Sequence, residues 1–299
     1  MELTKLKGNT WIIAGPVNIG IYVKENEAVL IDSGNDASAA RKILRLLEAQ
    51  NWKLRWIVNT HSHADHIGGN AFLQKRTGCE IAASVLEAPF IAHPELEPML
   101  LWSGNAPAGL RNKFLQAEPS VITRNFDDGE TLDAFGLQAM ALSGHMPGQI
   151  GVRTPDDILF TADAMLAERI LEKYGIPFVA HYEAAIATLA ALCKMEAALF
   201  VPSHGEPAKN IKKLADANRA CLSALRDDLL DICATAPTTR DDALKTLINR
   251  RGLSMNLEQY ALIFSTISSV LTSLIDSGEI ECDFSTGTLL LSKIKKNDA

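Results

Sequence analysis

The chain has 299 residues and a mass of 32.5 kDa, with 47% hydrophobic and 22% charged residues. These proportions exclude a disordered chain and leave one large globular domain or two ordinary ones. Lys and Arg total 29 against 36 Asp and Glu, so a net charge of −7 gives no general attraction to nucleic acid or an anionic membrane. In chain order, residues 1–11 carry no apolar run with a small-residue cleavage site, so no signal peptide is expected. Short apolar runs at Trp11–Ala14, Ile19–Val23 and Ala28–Asp32, parted by Gly15-Pro16 and Glu25-Asn26, predict hairpin strands. Ala40, Ile43, Leu44 and Leu47 share one face of a helix over 37–50. A strand at 54–59, a helix at 68–76 and a strand at 80–84 follow. Residues 85–118 break the rhythm with Pro89, Pro94, Pro98 and Pro107 beside Met99, Leu100, Leu101, Trp102 and Phe114, which reads as a lid-forming excursion.

Strands resume at 121–124, 137–142, 150–153 and 158–161. An irregular stretch at 165–182 precedes a helix at 183–195 and a strand at 198–201. From about Lys209 the character changes to helices at 209–235, 240–249 and 257–276. A hairpin at 279–283 and 286–292 ends the chain, an order that reads as a winged helix. The domains are therefore set at 1–208 and 209–299. The Ala-rich stretch 184–201 is interrupted by Lys194 and Glu196, so no membrane partner is expected. Cys79, Cys193, Cys221, Cys233 and Cys282 are scattered without a CxxC, which fits a reducing cytoplasm.

Three of the seven histidines fall in His61-Ser62-His63-Ala64-Asp65-His66. In extended backbone His61, His63 and Asp65 point the same way, and His66 turns to the neighbouring direction. Four metal-capable groups at one strand end exceed the needs of one ion. Two divalent ions, zinc first and iron or manganese after it, accept such nitrogen and carboxylate donors.

The hexapeptide resembles the HxHxDH signature of the metallo-β-lactamase fold superfamily. The resemblance extends in order along residues 1–208. Leu30-Ile31-Asp32-Ser33-Gly34 is similar to its LIDxG and Gly144-His145-Met146-Pro147-Gly148 to its GHxPG. Phe160-Thr161-Ala162-Asp163 is similar to its strand-ending aspartate, and Pro202-Ser203-His204-Gly205 to its PxHG. It implies a four-layer αβ/βα sandwich. It also implies that His61, His63 and His145 hold one metal, that Asp65, His66 and His204 hold the other, and that Asp163 bridges. Asp65 would also act on the proton of a metal-bridging hydroxide, and Asp32 would orient a ligand histidine from behind.

The implied activity is a dinuclear metal-dependent hydrolase of an ester, thioester or lactone, in the branch similar to glyoxalase II. Cysteine-containing β-lactamases place Cys where this chain has Asp163, so antibiotic hydrolysis is not expected. Trp102, His181 and Tyr182 are the candidates for the substrate wall. The C-terminal region resembles the appended domain of lactamase-like endoribonucleases, which keeps a ribonuclease or phosphodiesterase open. Residues 210–299 contain 11 Lys plus Arg and 12 Asp plus Glu, so nucleic acid is not the favoured partner. A mononuclear-iron persulfide dioxygenase and a non-enzymatic winged-helix regulator also stay open. The expected partner is a small-molecule substrate, and a homodimer is compatible with the sequence.

Overall fold

The computed structural model describes residues 2–295. Four antiparallel strands open the chain: β1 (Glu2–Lys7), β2 (Thr10–Ala14), β3 (Ile19–Lys24) and β4 (Glu27–Ile31). Helix α1 (Ala37–Ala49) is capped by Asp36, whose carboxylate accepts from the backbone N–H groups of Ser38 and Ala39 at 2.9 Å each. Strand β5 (Lys53–Val58) pairs parallel with β4. The short helices α2 (Ala64–Ile67) and α3 (Asn70–Thr77) lead to β6 (Glu80–Ala83). The excursion holds two further short helices, α4 (Ala88–Ala92) and α5 (Leu96–Trp102). Strand β7 (Arg124–Asn125) then completes a seven-stranded sheet ordered as in sequence.

The second sheet is built from β8 (Thr131–Leu132), β9 (Leu137–Ala141), β10 (Ile150–Arg153) and β11 (Ile158–Ala162). After α6 (Glu168–Tyr174) and α7 (Tyr182–Leu192), β12 (Leu199–Pro202) joins β11 in parallel. The C-terminal region comprises α8 (Lys212–Thr235), α9 (Arg240–Arg251), α10 (Leu257–Asp276) and the hairpin β13 (Ile280–Asp283) and β14 (Leu290–Lys293).

Period-two burial makes the layers. In β4, Ala28 and Leu30 face α1 and α3, while Val29 and Ile31 face the second sheet. Ile12, Tyr22 and Val58 of the first sheet meet Leu137, Val152 and Phe160 of the second in one apolar cluster. A Cβ on Gly20 would lie 2.6 Å from the Phe160 ring, so the bare backbone there lets the sheets close. On the far side of the second sheet, Leu142, Leu159 and Phe200 pack under α7 and α8. The order is helices, sheet, sheet, helices, the expected four-layer sandwich. The same cluster continues through Leu222, Leu229, Leu247 and Leu274 to Leu291 without a break at residue 208.

Six elements were not expected from sequence: β1, β8, α6 and the short helices α2, α4 and α5. Strand β1 is a mostly exposed edge strand with polar alternation, β8 spans two residues, and α6 buries no residue. The strand expected at 121–124 shrinks to β7, with Val121 exposed.

Candidate metal centre

The ends of strands β4, β5, β11 and β12 converge on one side of the sandwich. After β5 the chain bends at Thr60 and His61, and α2 begins behind His63, whose carbonyl accepts from the N–H groups of His66 and Ile67. Strand alternation therefore does not carry Asp65. The expectation that Asp65 lies in the same extended run is corrected: Asp65 and His66 reach the cluster on the single turn of α2. Gly144, at φ +137° and with a would-be Cβ 2.4 Å from the Ala185 Cα, lets the next loop press against α7 and present His145.

All seven expected groups meet. They fall into three overlapping sets, His61 with His63 and His145, His61 with His66 and Asp163, and Asp65 with His66 and His204, each with ligand atoms within 4.8 Å of one another. Asp163 stands between them, 3.6 Å from His145 Nε2, 3.5 Å from His66 Nε2 and 3.2 Å from His204 Nε2.

Outer contacts fix which nitrogen faces inward in four of the five rings. His61 Nδ1 lies 3.0 Å from Thr60 Oγ1, and that hydroxyl donates to Asp32 at 2.8 Å. His66 Nδ1 lies 2.8 Å from the same Asp32 carboxylate. His145 Nδ1 donates to the Phe178 carbonyl at 3.0 Å, and His204 Nδ1 to that of Pro16 at 2.8 Å. Inside, His63 Nδ1 sits 3.1 Å from His61 Nε2 and 2.9 Å from His145 Nε2. With their protons on the outer nitrogens, three lone pairs face one another. His66 Nε2 and Asp163 Oδ1 are buried without a hydrogen-bond partner. Tetrahedral zinc, with Zn–N bonds of about 2.0–2.1 Å, takes this donor set, so the residues fit such an ion.

The electrostatics divide the cluster. Burial pushes His61 and His145 below the ordinary histidine range and His63 down to about 3. Burial also pulls on His66, but Asp65, Asp163 and Asp32 outweigh it and hold that ring up to about 9. Asp163 lifts His204 to about 11. Burial opposes ionisation of Asp65, yet His66 and His204 prevail and bring it to about 2. One half is thus three neutral imidazoles, and the other is a knot of two cationic rings and two carboxylates.

Sequence reasoning missed four residues. Thr60 relays Asp32 to His61. Phe178 lays its ring 5.4 Å from that of His63 and 5.3 Å from that of His145. Glu87, fully buried, accepts from the backbone N–H groups of Ser62 at 3.0 Å and Gly148 at 2.8 Å, tying two histidine loops together. Glu97, also buried, faces His63 Nε2 at 3.4 Å. A lone carboxylate inside the apolar run 96–102 was the available signal. Of the candidate wall residues, Trp102 ends α5 and is 40% exposed, while His181 caps α7 by accepting from the Ala184 N–H. Tyr182 corrects its expectation: it is buried in the core beneath the C-terminal helices. The aromatic ring that lies against the cluster is Phe178.

The metallo-beta-lactamase superfamily model matches residues 12–204. With that fold and this constellation, the chain belongs to the metallo-beta-lactamase superfamily. Among curated proteins it is 27% identical over 148 residues to the hydroxyacylglutathione hydrolase GloC of Haemophilus influenzae, covering 48% of this chain and 64% of that one. It is 29% identical over 154 residues to the hydroxyacylglutathione hydrolase of Rhizobium etli, covering 50% of this chain and 48% of that one. The chain thus spans less than two thirds of these relatives' length. A metallo-beta-lactamase family protein from Thermus thermophilus superposes with a TM-score of 0.74 at 20% identity, over 96% of this chain and 99% of that one. A beta-lactamase domain protein from Burkholderia ambifaria gives 0.74 at 16%, over 98% and 94%. These likenesses extend the shared fold into the C-terminal helices.

Proposed function

We propose that the protein is a dinuclear metal-dependent hydrolase acting on a thioester, ester or lactone. His61, His63 and His145 would hold one divalent ion, Asp65, His66 and His204 the second, and Asp163 both. The observation that carries this reading is the set of inward-facing nitrogens whose outer nitrogens are occupied elsewhere. When bound, two such ions lower the pKa of water and polarise a substrate carbonyl. The chain supplies the rest. Asp65, with its side chain 34% exposed against 5% for Asp163, is placed to accept a proton from the attacking water. Phe178 keeps bulk water off His63 and His145. The space against His145 and Asp163 is lined by Phe178, Pro177, Leu166 and Thr188, an apolar setting for the acyl part of a substrate.

The thioester preference leans on the hydroxyacylglutathione hydrolases among the relatives. The ribonuclease reading draws little support from charge: residues 210–299 contain 11 Lys plus Arg against 12 Asp plus Glu, and exposed Lys212 and Arg219 lie beside Asp216 and Lys213 beside Glu168, which offsets part of their charge. Helices α9 and α10 followed by the hairpin support a winged helix that braces the site. Five unpaired cysteines support a cytoplasmic setting, and no helix among the described residues is long and apolar enough to cross a membrane.

The test is metal analysis of protein purified without chelators, joined to a panel of hydroxyacylglutathione thioester, lactone, phosphodiester and RNA substrates. Two metal equivalents with acyl turnover are expected, abolished by Asp163→Ala in a folded protein. One iron with oxygen uptake, or RNA cleavage that falls steeply with salt, would overturn the reading.

A further inference from the structure

Four of the five clustered histidines have an outer partner at 2.8–3.0 Å, namely Thr60, Asp32 and the carbonyls of Phe178 and Pro16. The fifth, His63, is turned the other way. It presents Nδ1 to the cluster and sends Nε2 outward toward α5. There Glu97 faces it at 3.4 Å, not aligned as a hydrogen bond, so among the described residues Nε2 remains a buried nitrogen without a hydrogen-bond partner. Glu97 is 4% exposed, and among the described residues no other cation or hydrogen-bond donor meets its carboxylate. A carboxylate buried in an apolar helix against one ring nitrogen is costly unless it is used. Its neighbours Pro98 and Leu101 on the same helix are buried as α5 packs, which fixes where Glu97 points.

We propose that Glu97 is the positioning residue of His63: its carboxylate accepts the Nε2 proton, which leaves Nδ1 free for the metal and ties helix α5 to the metal centre. A movement of about 0.5 Å brings the pair to ordinary hydrogen-bond length. Carboxylates behind metal-binding imidazoles fix the tautomer and raise the ring's basicity. The inference rests on His63 being a ligand, as proposed above.

The experiment measures zinc affinity by competition with a chromophoric chelator. It uses the full-length protein and its Glu97→Ala and Glu97→Gln variants, with nitrogen-15 NMR of the His63 ring in each zinc-loaded form. In the unmodified protein the ring should carry its proton on Nε2. In Glu97→Ala one of the two zinc sites should weaken about 10–100-fold while the other holds. Glu97→Gln keeps an acceptor oxygen and should recover most of the loss, whereas Glu97→Met, of similar volume but without an acceptor oxygen, should not. Zinc affinity in Glu97→Ala equal to that of the parent overturns the inference, as does an Nε2 without its proton in the unmodified protein. The latter measurement stands even where Glu97→Ala does not fold. A parent protein that takes up no zinc overturns the metal-centre reading as well, a result distinct from a zinc-loaded parent matched by its variant.

Discussion

Asp32 shows how much one side chain can organise. It sits just past β4 at φ +63°, a left-handed conformation that Asp tolerates better than most residues. From there it accepts from the Thr60 N–H and hydroxyl, at 2.8 Å each, and contacts His66 Nδ1 at 2.8 Å. One carboxylate therefore orients a histidine in each half of the cluster. Asp32→Asn keeps the shape and the tolerance of positive φ but replaces one acceptor by a donor. Metal affinity should fall about 10–100-fold, as read by chelator competition. The ring environments also set a pH dependence for the metal-stripped protein. His63, at about 3 against an ordinary 6.5, binds fewer protons folded than unfolded, as do His61 and His145. Stability should fall as pH drops below 6.5. His66 and His204 work in the opposite sense. Their contribution is complete below pH 6.5 and is lost as pH rises through about 9 and about 11. Urea midpoints after chelation should peak between these limits, and His145→Gln should flatten the acid limb.

Among the elements, the excursion at 85–118 is where sequence and structure part most. Its prolines and exposed Met99, Leu100 and Trp102 read as a lid, and those side chains are indeed exposed. Its function in the fold lies in the residues facing the other way. Glu87 begins α4 and bonds the loops of Ser62 and Gly148 to each other. Glu87→Ala would leave two buried N–H groups without an acceptor, so we expect a loss of about 2–5 kcal/mol in chemical denaturation. The ligand motifs were legible because each is short and holds its histidine or aspartate beside a turn-forming glycine or a strand end. Glu87, Glu97, Thr60 and Phe178 were not. Their partners lie across 25 to 61 positions for Glu87 and 33 for Phe178, and nothing local marks such a separation. Asp65 was expected correctly at the site for a partly mistaken reason, because the strand ends at Val58 and Asp65 arrives on the turn of α2.

At the scale of the molecule, the change of character near Lys209 was visible as composition, but its physical meaning was not. Helix α8 sends buried Asn218 to both backbone groups of Leu166, at 2.9 and 2.8 Å, just past Asp163. Helix α10 accepts from the Val179 N–H through Thr266 at 3.1 Å and from the Tyr182 N–H through Ser269 at 2.7 Å. Truncation after residue 208 would expose Leu142, Leu159 and Phe200 and remove these supports. We expect the fragment to aggregate or unfold at temperatures the whole chain survives, as measured by light scattering and circular dichroism.

Those two contacts from α10 hold the chain just after Phe178, whose carbonyl holds the His145 ring. The strap around Phe178 then opens with the helix that anchors it and not with the sheets beneath. Deuterium should enter the amides of Val179 and Tyr182 at the pace set by α10, and a looser α10, as in Thr266→Val, should quicken both together while the β10 amides keep their own slower clock.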